Sequence, residues 1–110
     1  MSLLIRPIMN SAVEEIFAFK TCCGQRVFDQ NLEIQLTNPG DRPVVVPAYF
    51  DLEGKQGSRR IMTLMPPGEL QIPPGETRAF YCEMEGRVWE AAEELVFYDL
   101  EGNRYAVRLR

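Results

Sequence analysis

The most reactive side chains in this chain are three thiols, Cys22, Cys23 and Cys82. Three thiolates held together would bind a soft metal or run redox chemistry. The spacing opposes both. Adjacent Cys22 and Cys23 on a strand point to opposite faces of a sheet, which is poor geometry for one tetrahedral ion. A structural zinc site takes four ligands, typically from spaced C-x₂₋₄-C pairs, and no fourth ligand accompanies these three. The economical reading makes Cys82, between Phe80 and Met84, a core residue, together with one of Cys22 and Cys23, because free cysteine is among the most buried residue types. The sharper alternative is a small thiol or metal site built from Cys22, Cys23 and Cys82.

Other chemistry has little to work with. The chain has no histidine, so Ser-His-Asp and Cys-His machinery and imidazole ligands are excluded. Ser2, Ser11 and Ser58 lie outside any G-x-S-x-G context. The stretch "GKQGS" has a lysine without phosphate-loop spacing. Carboxylate pairs occur by chance among 16 acidic residues and point nowhere. The expectation is a protein that is not an enzyme, with no catalytic residue, no cofactor and no metal.

Two features suit partner binding instead. Arg104, Arg108 and Arg110 form a basic stripe on one face of "RYAVRLR". Such a stripe protects an exposed strand against casual pairing, or greets an acidic partner. Trp89 follows, in the acidic stretch "EMEGRVWEAAEE", where Glu83, Glu85, Glu90, Glu93 and Glu94 face one Arg87. A lone Trp is either semi-core or a binding anchor. The acidic stretch reads as a solvated face, since no calcium-loop spacing is present.

Composition sets the frame. A chain of 110 residues, 45% hydrophobic and 25% charged, suits one globular domain spanning 1–110. Net charge is −4, which argues against nucleic acid as a partner. No run approaches the about 20 apolar residues of a membrane span. The apolar start "MSLLIRPIMN" is short and interrupted by Arg6 and Pro7, unlike a signal peptide. The cytoplasm is therefore the expected compartment, with the three cysteines as free thiols.

Turn residues cut the chain into strand-length pieces at 22–25, 37–43, 52–58, 65–69, 72–76 and 100–103. This punctuation predicts an antiparallel β-sandwich of about seven strands. "NLEIQLTN" alternates, with Leu32, Ile34 and Leu36 on one face. "PVVVPAYFDLE" reads as a more central strand, with a bulge or edge at Pro47. "ELVFYDL" and "RYAVRLR" form a hairpin, with Gly102 and Asn103 at positive φ. One helical turn is expected near 88–94. Residues 1–12 form a less ordered segment or an edge strand. Residues 11–20 fit a capped helix through Ser11 and Glu14, or an aromatic strand, which the all-β setting favours. The expected core is Leu32, Ile34, Leu36, Val45, Phe80, Cys82, Val107 and Leu109.

One stretch has a familiar order. "LEIQLTNPGDRPVVV" joins a strand, an Asn-Pro-Gly-Asp turn and a strand. "LMPPGELQIPPGETRAFYCEM" then runs through two proline–glycine turns into the next strand. With Asn38, Asp41, Pro43 and Val44, then Pro66, Ile72, Pro74, Gly75 and Glu76, residues 31–84 resemble immunoglobulin-like sandwiches of the PapD-like and major-sperm-protein-like group. The resemblance implies a sandwich that binds other proteins through a sheet face, an edge strand or loops. It brings no functional residue with it. The expected function is a protein-interaction module. Its partner is another protein or, through an edge strand, a second copy in a homodimer. The last strand is the natural edge, unless it is internal or capped by the N-terminal segment.

Overall fold

The computed structural model describes residues 3–11 and 30–110. The helix-or-strand question at 11–20 and the placement of Cys22 and Cys23 lie outside these residues, apart from Ser11, which is strand.

Alternation builds the first sheet. β2 (Gln30–Thr37) buries Leu32, Ile34 and Leu36 and turns Glu33, Gln35 and Thr37 outward. It lies between β1 (Leu4–Ser11) and β7 (Thr77–Met84), antiparallel to both, with Ile34 opposite Pro7 and Phe80. Among the described residues, β1 is thus an edge strand. β7 buries Phe80, Cys82 and Met84 on the same inner face. The second sheet has the order β5-β4-β8-β9: β4 is Phe50–Gly54, β5 Gly57–Ile61, β8 Glu94–Tyr98 and β9 Arg104–Arg108. Its inner face carries Phe50, Leu52, Leu95, Phe97 and Tyr105, all buried. Phe80 from the first sheet stacks nearly parallel on Phe97 from the second, with centroids 5.9 Å apart. A two-stranded sheet, β3 (Val44–Pro47) with β6 (Glu69–Ile72), adds Val44, Val46 and Ile72 to the same core. The architecture is all-β, antiparallel and sandwich-like, as its punctuation predicts.

The described residues form nine strands rather than about seven, and one of the extra strands comes from a break that apolar patterning hides. "PVVVPAYFDLE" is two strands in different sheets. Pro47 ends β3, the Ala48 N–H donates to the Gly68 carbonyl (2.8 Å), and the Tyr49 N–H turns back to the Pro47 carbonyl (2.8 Å). The chain then enters the other sheet at Phe50. β3 is therefore a short two-stranded element and not a central strand. Its parity also corrects the core: Val44 and Val46 point inward and Val45 does not. The predicted turn at 52–58 is a tight hairpin, with strands running in to the Gly54–Gly57 pair. Val107 and Leu109 are half-buried against the core rather than inside it. The helical turn is α1 (Gly86–Ala91), which carries the chain from the first sheet to the second. It starts earlier than 88, because Gly86 already takes helical backbone behind Glu85.

Two residues lock the turns in place. Asn38 is fully buried. Its amide donates to the carbonyls of Arg42 (2.6 Å) and Ile72 (3.0 Å), and its Oδ1 accepts from the Gly40 N–H (2.9 Å). Its backbone pairs with Glu76 and Gly75, so one residue ties the 37–43 turn to the 72–76 turn. Gly54 faces the end of α1 so closely that a Cβ would lie 2.5 Å from the Ala91 carbonyl oxygen. That neighbour is backbone and cannot swing aside. Gly54→Ala is expected to cost about 1–3 kcal/mol, the usual range for overpacking. Urea melts at constant m-value check this, and a neutral substitution would mean that α1 shifts freely.

Candidate functional site

β9 pairs with β8 on one side and, among the described residues, with no strand on the other. β1 lies close beside that side of β9, but no ladder joins the two. The register shows which backbone groups this leaves open. The Leu109 N–H donates to Glu93, and the Asp99 N–H donates to Asn103. Hydrogen-bonded pairs alternate along an antiparallel ladder, so Tyr105 and Val107 also turn their N–H and C=O toward β8. The N–H and C=O groups of Arg104, Ala106 and Arg108 therefore point away from β8, to the side where β1 approaches without pairing.

The side chains of the basic stripe have separate fates. Arg104, Ala106 and Arg108 share the outer face with Glu94, Val96 and Tyr98 of β8, and with Asp51 and Glu53 of β4. Arg104 stands opposite Tyr98, yet its guanidinium reaches Glu53 (3.0 Å) and Glu94 (3.6 Å). The diagonal between those positions crosses β8 at Val96. Val96, fully buried although it faces outward, lies on that diagonal. Arg110 donates to the Ala92 carbonyl, and its guanidinium lies 6.0 Å from the Trp89 ring centroid. The structure thus brings two predicted partner-binding residues, Trp89 and Arg110, into contact with each other. Trp89 itself is half-buried and packs on the core. Arg108 is exposed, and of the three arginines it alone has neither an ion pair nor a side-chain hydrogen bond to a described residue. The centre of the edge, Ala106, was missed by sequence reading. Alternation reveals which face a side chain takes, but not which way its N–H points.

No family model, curated protein or solved structure matches the chain.

The loop that sets β9 in register is rigidly bonded. The Asp99 carboxylate accepts four hydrogen bonds: from the backbone N–H groups of Glu101 and Asn103, from the Asn103 amide and from the Tyr105 hydroxyl (2.8 Å). Burial by itself would raise the pKa of Asp99, but these bonds outweigh it and hold the carboxyl below its usual range. Gly102 takes a positive φ of 88° here. Asn103 does not share that conformation, as no described residue other than glycine has positive φ; its side chain binds Asp99 instead.

Tyr105 is pushed up to about 12 by burial, then by its bond to Asp99 and that carboxylate's charge. Cys82 is pushed up to about 11 by burial and by Glu83. It sits beside an open groove of about 570 Å³ that Met65 and Tyr81 also line. Its thiol is protonated at neutral pH, so it is a weak nucleophile there. Among the described residues, no group of three or more Cys, Asp or Glu is arranged to hold a metal. Also among them, no helix is long and apolar enough to cross a membrane.

Both raised groups favour the protonated form in the folded state. Their stabilisation is full below the unfolded values and is lost as pH rises through the folded ones. Stability should therefore begin to fall near pH 9, through Cys82, and fall further between about 10 and 12, through Tyr105. Denaturant melts across this range test it. Tyr105→Phe should be less stable at neutral pH by about 1 kcal/mol. Its decline above pH 10 should also be shallower than that of the wild type; parallel declines would contradict the assignment.

Proposed function

We propose that this chain is a non-catalytic protein-binding domain that recruits an extended segment onto the edge of β9 that no ladder occupies among the described residues. The observation that carries this reading is the outward row of backbone N–H and C=O groups at Arg104, Ala106 and Arg108. Addition of a strand to such an edge supplies main-chain hydrogen bonds as affinity and alternate side chains as specificity. The resemblance of residues 31–84 to PapD-like and major-sperm-protein-like sandwiches supports the same role. A second copy of the chain is the other occupant the edge admits, giving a homodimer. The matching compartment is the cytoplasm, where a free thiol such as Cys82 stays reduced. A thiol-based function is disfavoured by the burial and protonation of Cys82.

The test is Ala106→Pro. Its N–H faces away from β8, so proline removes an edge donor and leaves the β8–β9 ladder intact. Peptides selected from a random display library on the wild type should bind this variant at least about tenfold more weakly. The amides of Arg104, Ala106 and Arg108 should exchange more slowly when a selected peptide is bound to the wild type. Peptides that bind both proteins equally, or a library that yields no binder, would refute the edge as the site.

A further inference from the structure

We infer that the segment received by β9 is an acidic strand of a different protein, with carboxylates four residues apart and apolar residues between them. This rests on the edge reading above and adds the chemistry of the occupant. The outward backbone groups belong to Arg104, Ala106 and Arg108, so an antiparallel partner places three alternate residues directly opposite them. Directly opposed residues share a face. The partner's residues facing Arg104 and Arg108 are thus four apart, and the residue between them meets exposed Ala106. Opposite charges at the two outer positions stabilise the pair, and like charges oppose it. The intervening partner residues turn inward beside Tyr105 and Val107, where half-buried Val107 leaves apolar surface to cover. The recognised pattern is acid, apolar, small, apolar, acid. Arg108 has no competing ion pair with a described residue. The pairs of Arg104 with Glu53 and Glu94 involve partly exposed side chains and exchange readily for a partner's carboxylate.

A second copy fits badly. Pairing β9 with its own copy about Ala106 sets Arg104 against Arg108 at both ends. The chain's acid-rich stretch cannot substitute as an added strand: Glu83 lies in β7, Glu85 caps α1, Glu90 lies within α1, and Glu94 is in β8, paired on both sides.

The experiment uses three synthetic strand-length peptides with the same apolar centre and with Glu, Gln or Lys at the two outer positions. Titration calorimetry on the full chain should give about tenfold tighter binding for the Glu peptide than for the Gln peptide, with the Lys peptide weakest. Added salt should narrow the gap. Arg108→Glu should remove or reverse the preference, and the wild type should sediment as a monomer. Equal affinity for all three peptides would end the acidic preference while leaving strand addition standing. A wild-type dimer dispersed by Ala106→Pro would show that a second copy is the occupant. If none of the three binds while library-selected peptides do, the inferred pattern is wrong. If neither kind binds, the edge reading itself has failed.

Discussion

Phe97→Ala is expected to destabilise the fold by about 3–5 kcal/mol, among the largest single effects available. Phe97 is fully buried at the point where the two larger sheets meet. Its ring lies 5.5 Å from that of Phe50 in its own sheet and 5.9 Å from that of Phe80 in the other. Truncation removes both ring contacts and opens a cavity between two sheets, neither of which can collapse into it without moving its ladder. Phe97→Leu, which keeps most of the volume, should cost less than half as much. The check is a set of guanidinium melts at constant m-value. A loss under about 1 kcal/mol for the alanine variant would mean that the sheets are joined elsewhere.

Asn38→Ala should cost about 2–4 kcal/mol through a different mechanism. No large apolar surface is lost. The cost comes from backbone groups that lose their partner: the carbonyls of Arg42 and Ile72 and the N–H of Gly40. The Ile72 bond is fully buried, so water cannot replace the lost donor there. Asn38→Asp separates polarity from size. It keeps the acceptor for Gly40 but aims carboxylate oxygen at two carbonyls, so it should be at least as damaging as alanine. Melts of both variants decide the matter, and a tolerated aspartate would show that the two amide bonds carry little. The same position matched a turn motif in the sequence, but the motif gives no hint that its side chain reaches Ile72, 34 residues away.

The β-structure was legible wherever one face is buried and the other is wet. Leu32, Ile34 and Leu36, and Phe80, Cys82 and Met84, alternate in sequence and are buried in the fold. The alternation of Arg104, Arg108 and Arg110 with Tyr105, Val107 and Leu109 likewise separated the two sides of the last strand. The reading failed where apolar residues run without alternation. Val44 to Val46 offer no parity, so Val45 was placed inside; the pairing with β6 sets the opposite phase. Pro47 marked the break between two sheets, but a proline is equally at home in a bulge or on an edge.

Residue types and their period by themselves determined that this chain folds as antiparallel strands, with no histidine chemistry. They also placed an arginine-bearing strand at the end. A two-residue period follows from local backbone geometry, so it can be read along the chain. Only the tertiary structure decided which strands pair and which arginines are already engaged. Arg104 is bound to Glu53, 51 residues away, and Arg110 to Ala92, 18 away, while Arg108 remains exposed. The outward turn of the Ala106 N–H depends on the register that the Asp99 loop imposes on β8 and β9. Pairing partners and hydrogen-bond parity are relations between distant segments, and no local pattern encodes them.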